Sequence, residues 1–138
     1  MFEQCLYFNA TSLARKLERE WTAAFKPFGL TPSQAFLLRR VLAEPGMHQN
    51  DLAASMNVAT ATLSRTLDGL ARLGFVERRA SHQDARGIQV FPSNSALAIA
   101  QELEAASGSV TKRFKRLLGA KEFDEVVARM RSISDALG

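Results

Sequence analysis

Residues Asp51 to Gly74 read DLAASMNVATATLSRTLDGLARLG, and Phe75 to Val90 continue as FVERRASHQDARGIQV. Leu52, Ala53 and Met56 share one face of a short helix over Gln49 to Met56, whose alanines let another helix come close. Asn57 then breaks the pattern with a side chain that tolerates left-handed backbone. Leu63, Leu67 and Leu70 recur at helical steps and predict a longer helix from about Thr60 to Leu73. Val58 anchors the turn before that helix, and Gly74 stands at its C′ stop. Phe75 to Ala80 and Ile88 to Phe91 alternate as paired strands do, around the polar loop Ser81 to Gly87. Helix, turn, helix and β-wing in that order place a helix in a DNA groove with arginines beside it.

The solvent face of the longer helix carries Thr60, Ala61, Thr62, Ser64 and Arg65 near its N-terminal end. Small side chains let the backbone approach a duplex, hydroxyls reach phosphates or base edges, and arginine reaches a phosphate or a guanine. Arg78, Arg79 and Arg86 put three guanidinium groups on the hairpin, and Asp84 is placed to brace Arg86 by an ion pair. An arginine at a hairpin tip suits the narrow, negative minor groove. These nine residues are the candidate DNA contacts. The plainer reading of each surface is a solvated charged face.

Working outward, Leu6, Leu13, Leu17, Trp21, Phe25 and Phe28 stripe a first helix over about Phe2 to Phe28. Thr31-Pro32 opens a second, with a capping hydroxyl and a proline at the first helical position. Phe36, Leu37, Val41 and Leu42 form its buried face, Pro45-Gly46 ends it, and Met47-His48 is a candidate minor strand beside the wing. From Asn94 a long helix carries Leu97, Leu103, Val110, Phe114, Leu117 and Leu118, with a bend expected near Ser107-Gly108-Ser109. A final helix repeats Phe123, Val126, Val127, Met130, Ile133 and Leu137. A lone winged domain does not need these terminal apolar faces. They predict a two-fold homodimer that sets two recognition helices about 34 Å apart, one turn of DNA.

The expected fold is mainly α with a small β-wing, one domain over residues 1–138. Residues 31–93 form the winged helix-turn-helix lobe, and 1–30 with 94–138 supply dimerisation helices. Ordinary apolar content (46%) and charge (23%) exclude a disordered chain. A net charge of +4 is compatible with an anionic partner without requiring one. The single cysteine, Cys5, excludes an internal disulfide and fits a reducing cytoplasm. No apolar run reaches membrane-spanning length. His48 and His82 lie in separate turns with no phosphate loop, metal-ligand pair or nucleophile elbow to join, so neither enzyme activity nor a cofactor is expected.

The ordered series Gly29-Leu30-Thr31, Gln49-x-x-Leu52-Ala53, Thr62-Leu63-Ser64-Arg65, Leu73-Gly74-Phe75-Val76-x-Arg78 and Asp84-x-Arg86 resembles the multiple antibiotic resistance regulator (MarR) family over nearly the whole chain. The resemblance implies a homodimeric winged helix-turn-helix regulator. Such a protein binds a pseudo-palindromic operator in double-stranded DNA, acts as a repressor, and is released by a small aromatic or phenolic compound or by oxidation. Two departures stand out. Pro92-Ser93 and Ala96 replace the family's usual Leu-Thr and glycine, and Ala59 stands where a capping serine is common, which shifts the expected cap to Thr60.

For an effector, the resemblance points between the dimerisation helices and the DNA-binding lobe. There Arg15 is the candidate partner of a carboxylate, with Trp21, Phe36 and His48 as wall residues. Cys5 invites comparison with the peroxide-sensing branch. The supporting tyrosines are missing, however: Asn9 and Arg19 stand at their offsets, and a small residue near a dimer contact is the simpler account. The rival from another class is a winged-helix module that binds protein rather than DNA.

Overall fold

The computed structural model describes residues 1–82 and 87–138. Along the chain run α1 (Leu6–Phe25), a 3-10 turn (Lys26–Phe28), α2 (Pro32–Ala43), β1 (Met47–His48), α3 (Gln49–Ser55), α4 (Thr60–Arg72), β2 (Val76–Ala80), β3 (Ile88–Pro92), α5 (Asn94–Leu118) and α6 (Ala120–Leu137). The expected helical fold with a small wing is what forms.

Local chemistry accounts for most boundaries. Thr31 and Gln34 make a reciprocal capping box: the Gln34 amide donates to Thr31 Oγ1 at 3.2 Å, and the Thr31 amide donates to Gln34 Oε1 at 3.0 Å. Gly46 turns at φ 88°, and its N–H donates to the Val90 carbonyl at 2.8 Å, which docks the end of α2 onto the wing. Met47 and His48 pair with Val90 and Gln89, so the minor strand forms and the sheet order is β1-β3-β2. Ser93 caps α5, its hydroxyl accepting from the Ala96 amide and donating to the Gly74 carbonyl.

Several boundaries and faces depart from the expectations. The first helix begins at Leu6 rather than Phe2, because Cys5 is its N-cap and its Sγ accepts from the Phe8 amide at 3.5 Å. It ends at Phe25, where Pro27 tightens the chain into the 3-10 turn. α5 runs as one helix through Ser107-Gly108-Ser109. On α5 the buried positions are Ala96, Leu103, Ser107 and Val110, while Leu97 and Leu117 face solvent.

The core lies between α2, α3, α4 and the sheet, closed on one side by Phe25 of α1 and Leu103 of α5. Leu38, Val41, Leu52, Leu67, Leu70 and Val90 are fully buried there. Helices α2 and α4 meet at Gly69, where an added Cβ would stand 2.8 Å from Gln34 Nε2. The outer ends are different. Leu6, Tyr7 and Leu13 on α1, Leu117 and Leu118 on α5, and Val126, Val127, Met130, Ile133 and Leu137 on α6 are all exposed in the single chain. Among the described residues, no helix is long and apolar enough to cross a membrane.

Candidate nucleic-acid interface

The turn between α3 and α4 is built from Asn57 at φ 55°, the one non-glycine residue with positive φ among those described. The Asn57 amide donates to the Ala54 carbonyl and the Val58 amide to the Ala53 carbonyl, which folds α4 back across α3. Ala59, not Thr60, is the N-cap. Its extended backbone presents a carbonyl to the Leu63 amide at 3.0 Å, and no side chain caps the helix. Thr60 is therefore the first helical residue. An uncapped α4 leaves the N–H groups of its first turn without side-chain partners, an arrangement that accepts anionic oxygen. Sequence reasoning misses this because it seeks the absent hydroxyl at the next residue.

Leu63, Leu67 and Leu70 anchor α4 to the core and leave Thr60, Ala61, Thr62 and Arg65 exposed, with Ser64 half-buried. Arg65 Nη2 donates to Thr62 Oγ1 at 3.3 Å, which lays its guanidinium along the same face. The five helix candidates thus share one solvent-facing end of α4.

The wing arginines divide. Arg78 turns back onto α4: Nη1 meets Asp68 Oδ1 at 2.6 Å, and Nη2 donates to the Ser64 carbonyl at 2.8 Å. It is a brace between β2 and the recognition helix rather than an outward-facing cation, a role set by tertiary approach that no local spacing encodes. Arg79 faces out, half exposed, pairing with Glu77 Oε2 at 3.0 Å and lying over the Phe91 ring at 4.3 Å. Asp84 and Arg86 lie outside the described residues. Among the described residues beside them, the Ser81 amide donates to the Gly87 carbonyl at 2.9 Å.

A second feature adjoins this surface. A cavity of about 510 Å³ opens between α1, α2 and α4, with Trp21, Phe36 and Leu17 on its helical walls and Thr62 and Thr66 of α4 on its floor. Trp21 and Phe36, two of the four residues named for an effector site, both line it. Arg15 and His48 do not line it: Arg15 is exposed on α1, and His48 sits half-buried in β1. Phe36, expected in the buried face of α2, is 39% exposed because it turns into this cavity, and Val58 does the same.

Behind the aromatic walls a polar clasp joins three helices. The Trp21 indole N–H donates to Ser107 Oγ at 3.2 Å, and the same oxygen accepts from Arg39 Nη1 at 3.0 Å. Arg39 also grips both oxygens of Glu104, at 2.7 and 3.0 Å. That pairing holds the Glu104 carboxyl below the ordinary carboxylate range, against a smaller opposing effect of burial. Cys5 is exposed at the start of α1.

With this geometry in place, the sequence profile of the MarR family matches residues 30–88, which span the second helix, the helix-turn-helix and the wing as far as the start of β3. Residues 30–88 are thus a MarR-type segment with winged helix-turn-helix geometry. A HTH-type transcriptional regulator of Bacillus subtilis (strain 168), YybA, is 30% identical over 81 residues, covering 59% of this chain and 54% of that protein. The match thus spans about half the length of that relative.

Three solved structures with DNA share the fold over 96% of this chain. The repressor CouR bound to a 23-mer DNA duplex superposes with a TM-score of 0.88 at 20% identity, over 94% of its own chain. MepR of S. aureus in a DNA complex gives 0.86 at 18% identity, over 98% of its chain. A point mutant of MarR from E. coli complexed with operator DNA gives 0.85 at 20%, over 97% of its chain.

Proposed function

We propose that two copies of this chain form a two-fold dimer that binds a pseudo-palindromic operator and represses transcription in the cytoplasm, and that a small aromatic effector releases it. The observation that carries this reading is the opposition of two surfaces. One end of α4 presents small, hydroxyl and guanidinium groups to solvent, while the apolar faces of α1 and α6 remain uncovered by the chain itself. A second copy laid on those apolar faces brings two α4 ends to one side of the dimer.

In this reading residues 31–93 form the DNA-binding lobe, and 1–30 with 94–138 form the dimer. Thr60, Ala61, Thr62 and the first-turn amides of α4 approach phosphates, and Ser64 and Arg65 read base edges in the major groove. Arg79 and Arg86 serve the wing, with Arg86 entering the minor groove and Asp84 bracing it. Arg78 holds the wing at a fixed angle to α4. The cavity at the junction of α1, α2 and α4 supports the aromatic route of release over oxidation at Cys5. The solved complexes of CouR, MepR and MarR with DNA support the DNA assignment by analogy.

The test is selection of bound sequences from a random DNA pool by the purified chain. The expected product is an inverted repeat with half-sites about one helical turn apart, and log affinity should fall linearly with log salt. A folded dimer that selects no sequence and shows no salt slope overturns the proposal in favour of a protein-binding wing.

A further inference from the structure

We infer that the cavity between α1, α2 and α4 takes an aromatic cation, with its ring against Trp21 and Phe36 and its positive charge on the Glu18 carboxylate. The inference rests on the effector reading above and reverses the charge that the family resemblance attaches to such a ligand.

Three observations carry it. Glu18 is the one ionisable residue lining the cavity, whose other walls are apolar side chains with the hydroxyls of Ser33, Thr62 and Thr66. Glu18 also makes no hydrogen bond or ion pair among the described residues, so its carboxylate is free to meet a ligand. The neighbouring cations are committed or lie outside the lining. Arg39, over the Phe36 ring at 5.0 Å, has its edges on Glu104 and Ser107. Arg65 reaches Thr62 Oγ1 but does not line the cavity, and neither does Arg15, three residues before Glu18.

A carboxylate ligand placed here would lose hydration beside a like charge with no lining cation to offset it. A cation gains on both counts, since a positive charge is attracted by an indole face and by a carboxylate alike, even though Glu18 is exposed and its charge partly screened. The site also has the reach to act on DNA, because its floor is α4 itself. Thr66 Oγ1 donates to the Thr62 carbonyl at 3.1 Å, so the two floor residues form one turn of the recognition helix.

The experiment compares three probes of one shape on the full-length chain by calorimetry: naphthylmethylammonium, naphthylmethanol and naphthoate. The cation should bind about tenfold more tightly than the neutral alcohol, the size of a charge-assisted hydrogen bond, and the anion most weakly. Raising salt should narrow the gap. Glu18→Gln should bring cation and alcohol together, Glu18→Lys should move the preference to naphthoate, and Glu102→Gln, at an exposed site on α5, should change nothing. Tightest binding of naphthoate by the unaltered chain, or a cation preference that survives Glu18→Gln, overturns the charge assignment alone. Failure of all three probes to bind overturns the effector reading beneath it as well. Neither outcome touches the DNA selection, which needs no ligand.

Discussion

Helices α4 and α6 carry apolar residues at the same helical repeat and meet opposite fates. In α4, Leu63, Leu67 and Leu70 are buried to 2% exposure or less. In α6, Val126, Val127, Met130 and Ile133 stay 40 to 49% exposed, and no residue of the helix is buried. An apolar stripe therefore states that a helix has a face to hide, and says nothing about whether its own chain hides it. The stripe of α4 is satisfied by α2 and α3, whereas that of α6 is left for another surface.

This contrast is most sharply broken by substituting the two stripes in turn. Leu67→Ala removes a fully buried side chain from the lobe and should cost about 2 to 5 kcal/mol in urea unfolding. Ile133→Glu, on α6, should leave the lobe's helical signal intact and abolish the dimer in sedimentation, with operator affinity falling along with it. An Ile133→Glu chain that remains dimeric would remove α6 from the interface. Equal loss of fold in both variants would mean that α6 packs within its own chain.

Arg78 offers a smaller test within the lobe. Arg78→Ala strips Asp68 of its partner and leaves the Ser64 carbonyl without its guanidinium donor. The expected loss is about 1 kcal/mol of stability, since the pair is partly solvated. DNA affinity should drop through a loosened wing. Retained affinity would show that the wing keeps its angle without the brace.

The smallest effect concerns Arg39 and Glu104. Because the pairing lowers the folded Glu104 carboxyl below its ordinary value of 4.5, its stabilisation is present above that value and lost as pH falls through the lowered one. Glu104→Gln should therefore lower stability slightly at neutral pH, leave it almost unchanged at acid pH where Glu104 is already protonated, and so flatten the acid side of the profile. A variant equally weakened across the range would assign Glu104 a packing role instead.

The fold is largely legible in the chain because its elements are fixed locally: Thr31-Pro32 starts a helix, Asn57 and Gly74 take left-handed turns, and three leucines fix the buried face of α4. The helix face of the candidate interface is legible for the same reason, since periodicity alone sets Thr60, Ala61, Thr62 and Arg65 opposite those leucines. The features that sequence misplaces depend on approach in space. Arg78 and Arg79 are neighbours of like type in one strand, yet alternation sends one toward α4 and the other to solvent. Phe36 and Val58 have the apolar character of core or turn anchors, but each borders a cavity that exists only once α1 crosses α2 and α4. Arg15 and His48 are candidates by residue type, and neither reaches that space.

Thr62 belongs at once to the solvent-facing end of α4 and to the floor of the cavity. If an occupant and a duplex meet the chain as proposed, both press on the same turn of helix, and no relay of intervening residues has to carry a message between them. The coupling is then a contest over one position of α4, and it runs equally in both directions. Whatever factor an occupant takes from operator affinity, the operator takes from the occupant. A cell rich in operator copies would make the protein a poorer sensor by that same factor.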